Sequence, residues 1–567
     1  SNTRVGTFLG RFDTTSAIYR QQIGNLQADI KVQELAFFGQ DSWRITPNFS
    51  LNYGLRAEQQ YNPNPEVSNT DLVNLVRNAS FPLAGGRGID PTQIPDSGWQ
   101  WGPRLGFAWD PTGDGKTVIR GFGGVYYART PLLLLADSVN NYRLPPGNVR
   151  AILGSGGVSF NQTAFNTFLN TPAAAQYIAI TGCVPNQTPV NPACVANTIY
   201  RQFAILGINL NNAAIGSLPT LTPAQVQQIG SAISSSFNPN IINGIQVTSH
   251  DPNFKNPESV QFGVGAEREF ARNFVIGIDY AQVRTNFLQK NVDYNLPAPV
   301  FDASDPAGRP LIGITRPQAL PAATSWTNRT RPISTLSSVQ VRESSGRSFF
   351  QSLTFRTRLS RSWGLINAYY TLSRNLSDDD NERDSGGVLY TNPYNRRAEF
   401  GPSRLDRTHQ FVANPVFFLP YGFEVSSAVR LRSGQPFNTT VGSDMNGDGL
   451  NNDRPYLVPG VELPRNYFRN RNVFDIDLRV QKGFNFDEKK RLIFFTEFFN
   501  IFNMSNTQYG GGQTNYCSTS TEAGRIRCGL DGITNINFAQ VRQQNSASST
   551  FEKIIISNNP GSQVFQM

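Results

Sequence analysis

Strict two-residue alternation is the feature that most constrains this chain. From 49 to 58, Phe49, Leu51, Tyr53, Leu55 and Ala57 point one way, and Ser50, Asn52, Gly54, Arg56 and Glu58 point the other. That is the period of a strand with one apolar face. The pattern returns with Leu105, Phe107 and Trp109, with Val260, Phe262, Val264 and Ala266, and with Phe274, Ile276, Ile278 and Tyr280. Further runs hold Leu353, Phe355 and Leu359; Ile366, Ala368, Tyr370 and Leu372; Phe423, Val425, Val429 and Leu431; Phe474, Ile476, Leu478 and Val480; and Leu492, Phe494 and Phe498. A soluble sandwich would alternate too, so the connections decide. Short turns near 46–48, 111–115, 270–273, 360–362, 420–422 and 484–490 take turns with long connections over 60–100, 130–255, 285–347, 375–407, 434–471 and 503–560. Structureless loops of that length are uncommon in compact soluble domains. Short periplasmic turns and long extracellular loops define the outer-membrane barrel, whose strands of about ten residues cross the hydrocarbon layer at a tilt.

The expected fold is therefore all-β: part of a large antiparallel transmembrane β-barrel in the bacterial outer membrane, in contact with its lipid. Six hairpins give about twelve strands, with partial strands expected near 4–12 and 562–567. Residues 1–34 read as an upstream strand or loop remnant, and 35–567 as the C-terminal part of the barrel. An open sheet would leave unpaired edges in lipid, so residues before Ser1 are expected to complete it. Both ends read as cuts: Ser1 is not an initiator Met, and Met567 falls inside a strand-like run.

Composition agrees. Charged residues make up 16% and aromatics 11%, against about 25% charged in ordinary globular domains. The most concentrated aliphatic run, Leu132 to Leu135, is far short of the roughly 20 residues of a spanning helix. Aromatic clusters at Phe37, Phe38 and Trp43, Tyr126 and Tyr127, Phe417 and Phe418, and Phe498 and Phe499 suit interfacial girdles, with core packing as the alternative. The formal charge of +9 comes from scattered basic residues without a basic arm, which argues against a nucleic-acid partner.

Cys183 and Cys194 are eleven apart, as are Cys517 and Cys528, each pair in a Gly/Pro/Asn/Thr-rich stretch. Two local disulfides in an oxidising compartment are expected. Zinc is the alternative, but neither His250 nor His409 lies near a pair and no CxxC spacing occurs. In the longest connection, Thr222 as N-cap and Pro223 at the first helical position predict a short helix with an Ala224, Val226, Ile229 and Ile233 stripe.

Several segments together resemble the Oar-like branch of TonB-dependent outer-membrane receptors. They are Phe37-Phe-Gly-Gln-Asp-Ser-Trp-Arg-Ile-Thr-Pro, Leu51-Asn-Tyr-Gly-Leu-Arg, Gly102-Pro-Arg-Leu-Gly-Phe-Ala-Trp-Asp-Pro and Gly113-Asp-Gly-Lys-Thr-Val-Ile-Arg-Gly. Further along stand Tyr369-Tyr-Thr-Leu-Ser-Arg, Asn392-Pro-Tyr-Asn-Arg-Arg-Ala-Glu-Phe-Gly-Pro-Ser, Asp406-Arg-Thr-His-Gln-Phe, Ser433-Gly-Gln-Pro-Phe, Asn452-Asp-Arg-Pro and Glu497-Phe-Phe-Asn-Ile-Phe-Asn. The resemblance implies a barrel of about twenty-two strands, a periplasmic plug, an N-terminal carboxypeptidase-regulatory-like sandwich and a TonB box. It also implies a TonB energy-coupling complex as partner, reached through that N-terminal region.

The sharpest local motif is Asp444, Asn446, Asp448 and Gly449, with Leu450, Asn452 and Asp453 behind. Oxygen ligands at positions one, three and five and Gly at six are the first half of an EF-hand-type calcium loop. Leu450 would offer its carbonyl at position seven and Asn452 falls at nine, but position twelve is Pro455 where a bidentate Glu belongs. The alternative is a polar Asn/Asp/Gly turn. If calcium binds, its expected role is to brace the extracellular loop. A second acidic run, Ser377 to Asp384, reads as solvated loop rather than a site for a cation or a basic substrate. With two histidines and neither a Gly-x-Ser-x-Gly nor an HExxH motif, an enzyme is not expected. The expected function is substrate transport across the outer membrane, with peptides or glycans suggested by loop size and no residue assigned to substrate. The alternatives are a passive porin-like channel and a barrel-anchored surface or adhesion protein.

Overall fold

The computed structural model describes residues 30–65, 69–140, 245–301, 327–379, 390–440, 460–485 and 491–504, with shorter pieces at 7–8, 11–12, 19–23, 149–153, 160–185, 194, 198–210, 219–234, 308–315, 444–450, 452–458, 506 and 513–515. Twelve strands form one antiparallel wall, each bonded to its neighbour in the chain. They are β1 (Gln33–Thr46), β2 (Phe49–Tyr61), β3 (Gln100–Trp109), β4 (Thr117–Tyr127), β5 (Glu258–Ala271), β6 (Phe274–Asp293), β7 (Leu336–Arg361), β8 (Gly364–Ser377), β9 (His409–Leu419), β10 (Phe423–Arg432), β11 (Val473–Asn485) and β12 (Arg491–Phe498). The expected six hairpins are β1–β2, β3–β4, β5–β6, β7–β8, β9–β10 and β11–β12. The β11–β12 connection and the run 562–567 lie outside the described residues.

Register carries the alternation around the wall. Tyr280 of β6 stands opposite Val264 of β5 and Leu353 of β7, and Ile278 opposite Ala266 and Phe355. Leu105, Val260, Val264, Ile278 and Phe355 are all exposed, as an apolar face meant for lipid must be. The opposite face is polar and knitted by charge. Glu267 of β5 pairs with Arg120 of β4 at 3.0 Å and with Arg356 of β7 at 2.9 Å, and Arg356 pairs with Asp279 of β6 at 3.0 Å. Arg356 lies flat over β6, where a Cβ on Gly277 would sit 2.5 Å from its Nε; only glycine leaves room for a guanidinium spanning three strands.

One expectation needs correction. The third long connection was expected to start near 285 and end near 347, yet β6 runs on to Asp293 and β7 starts at Leu336, making strands of 20 and 26 residues. A crossing uses about ten, so these two project well beyond the membrane on the loop side. A parallel strand, Ile245–His250, adds to the projecting part of β7. Within 1–34, read as an upstream strand or loop remnant, Tyr19–Ile23 pairs with Val149–Leu153 inside the longest connection.

That connection folds into a helical insert. Helices α3 (Gln162–Leu169), α4 (Ala175–Thr181), α5 (Ile199–Ile205) and α6 (Pro223–Ile233) follow α1 (Thr70–Arg77) and α2 (Leu132–Asn140). Phe165, Tyr177, Phe203, Ile229 and Ile233 form its core. α6 starts where Thr222 and Gln225 close a capping box. Ala224, expected on its apolar stripe, faces out, while Ala232 is buried in its place. Cys183 and Cys194 are bonded with Cα atoms 5.5 Å apart, tying α4 to the segment before α5. Cys517 and Cys528 lie outside the described residues.

Candidate functional site: the extracellular canopy

The loop ends do not hang free. Leu72, Val73 and Val76 of α1, Phe81, Val247, Val292, Tyr294, Ile333, Val339 and Tyr390 share one buried core. Four connections distant in sequence thus bury a common apolar centre above the wall, a canopy with its own hydrophobic stabilisation.

Charge is buried within it, much of it in company. Lys290, near the projecting end of β6, has no exposed side-chain surface. It donates to the Asp378 carbonyl, lies 4.0 Å from an Asp379 oxygen and 4.9 Å from the ring centroid of Tyr390. Asp378 and Asp379, the start of the acidic run expected to be solvated, are each 5% exposed. The correction has a physical cause, because a lysine 88 residues away in sequence and the Arg347 backbone amide, 2.7 Å from Asp378, take the place of water. The rest of that run lies outside the described residues. Nearby, Glu343 accepts from the Tyr294 hydroxyl at 2.5 Å and from Arg396.

A second knot centres on Arg454. Its Nη1 donates to Glu399 at 2.7 Å, its Nη2 to Glu462 at 2.8 Å and its Nε to the Leu463 carbonyl at 2.9 Å. Thr391 donates to Glu399 at 2.8 Å. Burial works to raise the Glu399 carboxyl, but Arg454 and the Thr391 bonds bring it net below its ordinary range. Glu462 ends above its range: burial raises it, Arg454 only partly offsets this, and the charge of Glu399 adds to the rise. The two acids share one arginine, and Glu399 holds the better-donated half.

The loop 444–454 sits between these knots. Asp444 accepts from the amides of Gly447 at 2.6 Å and Gly449 at 2.8 Å, Asn446 from Asp448 at 2.8 Å, and Asp448 from Leu450 at 2.8 Å. Asp453 accepts from Met445 at 2.5 Å and, at 3.3 Å, from Asn446. Asn452 turns its amide nitrogen to the Tyr390 carbonyl at 3.3 Å. The carboxyls of Asp448 and Asp453 are both raised, first by burial and then by neighbouring carboxylates, with Arg309 opposing the rise at Asp453. Among the described residues, no three carboxylate, imidazole or thiolate side chains converge as a metal cluster.

His409 stands at the first residue of β9 with Nδ1 2.8 Å from the Tyr370 hydroxyl, a strand-end contact. His250 is buried against Phe254, ring centroids 5.0 Å apart. Beside α2 a cleft of about 1090 Å³ is lined by Val32, Glu34, Arg129, Leu132, Leu133 and Gln289. Lys290, Glu343, Arg396, Glu399, Arg454 and Glu462 were not singled out from the sequence as site residues. Yet Arg396, Glu399 and Arg454 fall inside segments that carried the family resemblance, Asn392 to Ser403 and Asn452 to Pro455; those segments turn out to be the ties of the canopy.

A family model described as outer membrane beta barrel domain matches residues 6–203 and 146–464. Among solved structures, the chain is similar to the FrpB iron transporter from Neisseria meningitidis (F3-3 variant), at 9% identity and TM-score 0.37, covering 84% of this chain and 42% of that one. It is similar to the outer membrane transporter YddB from Escherichia coli, at 9% and 0.37, covering 85% and 52%. It is also similar to the ferric yersiniabactin uptake receptor FyuA from Yersinia pestis, at 9% and 0.35, covering 86% and 43%. The chain spans about half, or less, of the length of each. Comparison with curated proteins found no match.

Proposed function

This chain belongs to the outer-membrane β-barrel domain family, whose model spans most of its length, and from that premise we propose that it is the wall and canopy of a TonB-dependent, Oar-like transporter. One observation carries the proposal: a lipid-facing wall with a charged, ion-paired inner face is surmounted by a canopy with its own buried core. A passive pore needs an open mouth. A packed canopy over a polar lumen suits capture of a substrate from outside and its controlled release inward.

In this reading the canopy loops and the cleft beside α2 receive the substrate, with peptides or glycans as the proposed classes. A plug, a TonB box, a regulatory-like sandwich and further strands, towards about twenty-two in all, would come from chain outside these residues. The resemblance segments support the Oar-like assignment, since they lie in the wall and at the canopy ties.

The test is uptake by cells carrying the full-length protein, with and without a protonophore, beside conductance of the purified protein in planar bilayers. Energy-dependent uptake with a silent bilayer is expected. Steady conductance without energy would overturn the proposal in favour of a passive channel. A silent bilayer with no uptake of peptides or glycans would overturn it in favour of an anchored surface protein.

A further inference from the structure

The loop 444–453 has a feature that a polar turn does not require. Asp448 is 5% exposed, and its Oδ2 is buried with no hydrogen-bond donor, while Oδ1 accepts from Leu450. A buried carboxyl oxygen without a hydrogen-bond partner is costly and persists only where something compensates it.

The nearby cations face other groups than the Asp448 carboxylate, Arg309 acting on Asp453. Arg331 donates to the Asp293 carboxylate at 2.9 Å, to the Asn295 carbonyl at 3.3 Å and to the Asp448 carbonyl, not its carboxylate, at 3.2 Å. Arg309 donates to the Arg454 carbonyl at 3.1 Å and stacks 4.7 Å from the Tyr456 ring centroid. Arg454 is held by Glu399 and Glu462. Arg331 thus reaches the Asp448 backbone, and among the described residues no guanidinium or ammonium pairs with the Asp448 carboxylate.

We infer that a calcium ion binds here, held by Asp444, Asn446, Asp448 and the Leu450 carbonyl, with Asp453 and Asn452 behind them, and fastens three extracellular loops together. Carboxylate, amide and carbonyl oxygens in one short loop are a hard-cation set. The set has no imidazole or thiolate, the ligands zinc favours. Pro455 in place of a bidentate acid puts the affinity with weak extracellular modules, about 0.1–1 mM.

The fastening follows from what the loop touches. The Asn446 carbonyl accepts from Ile312 at 2.7 Å and Gly313 at 3.2 Å, in the connection between β6 and β7. The Asn446 side-chain amide donates to the Thr391 carbonyl at 2.7 Å, in the connection between β8 and β9. A cation that fixes Asn446 and Asp448 thus fixes both neighbours. The inference needs only the loop's exposure to the outside medium, not transport, so failure of uptake would leave it standing.

The experiment uses the full-length protein in detergent. Terbium luminescence displaced by calcium reports binding, and limited proteolysis reports the loops. A single saturable site near 0.1–1 mM calcium is expected. Chelator should raise cleavage of the 285–347, 375–407 and 434–471 loops together by tenfold or more, with the wall intact. Asp448→Asn keeps the Leu450 acceptor but should weaken binding at least tenfold and make cleavage independent of chelator. Asp444→Asn should do the same, which guards against a folding defect in one variant. No saturable site, equal cleavage with and without calcium in the unaltered protein, equal protection by magnesium, or unchanged binding in both variants would each overturn the inference.

Discussion

Replacing Arg454 with Met should open the canopy while leaving the wall closed. Arg454 is 1% exposed and lies between Glu399, 2% exposed, and Glu462. Arg454→Met fills similar volume but leaves two carboxylates facing each other without their cation. Breaking a buried ion pair from one side costs about 3–5 kcal/mol, which at about 1.4 kcal/mol per factor of ten corresponds to roughly 140- to 3,700-fold more frequent local opening. Hydrogen exchange followed by mass spectrometry should show that acceleration in peptides covering 391–400 and 454–463, with wall peptides from 260–280 unchanged. The defect should shrink as pH falls from 7 to 5, because the orphaned carboxylates escape repulsion by taking up protons. Adding Glu399→Leu and Glu462→Leu to Arg454→Met should restore most of the protection, since an apolar core of equal volume tolerates the site better than a broken pair. Exchange within threefold of the unaltered protein in both peptides, or an acceleration shared equally by the wall, would refute the reasoning.

Two further outcomes follow from the canopy. Burial, then Arg342, depress His250 to about 3, so the neutral ring belongs to the folded form; its contribution is complete above the unfolded value of about 6.5 and is lost as pH falls towards 3. At pH 5 the loss is about 2 kcal/mol, seen as faster exchange over 245–250, and His250→Phe should remove that acid sensitivity; equal acid acceleration in the variant would contradict the assignment. Gly313→Ala would place a Cβ 1.7 Å from the Gly447 carbonyl oxygen, so the loops must part at a cost of about 2–4 kcal/mol; protease should then cut 308–315 and 444–450 faster at unchanged barrel stability, and unchanged cutting would show that the contact does not matter.

The wall was legible in the sequence because lipid on one side and a polar lumen on the other force apolar and polar residues to alternate. The two overlong strands were not, and the reason is visible in β6. Beyond Asn286 the strand leaves the membrane, slips register around Phe287 at φ +62° and buries successive residues, Leu288, Gln289 and Lys290, on both faces. Without an apolar side and a polar side, the period of two disappears. Helices α1 and α3 to α5 have only seven or eight residues, too short for a clear helical period, whereas α6 announced itself through Thr222 and Pro223. The burial of Asp378 and Asp379 depended on Lys290, and the Arg454 knot on Glu399, 55 residues away. Distances of that kind leave no local mark.

The neighbour-to-neighbour order of the wall also sets a sequence of events in time. Most wall pairings join strands close in the chain, so the ordering entropy of each hairpin is recovered locally as it forms. Canopy ties reach much further: 117 residues from Arg331 to the Asp448 carbonyl, 145 from Arg309 to the Arg454 carbonyl and 196 from Asn256 to Gln60. Such closures come late, after the strands have fixed where the loop ends stand. During biogenesis a cell would therefore first hold a sheet with its charged knots still hydrated, and the outer face would mature last. Resistance of the loops to external proteases should appear only at that final step.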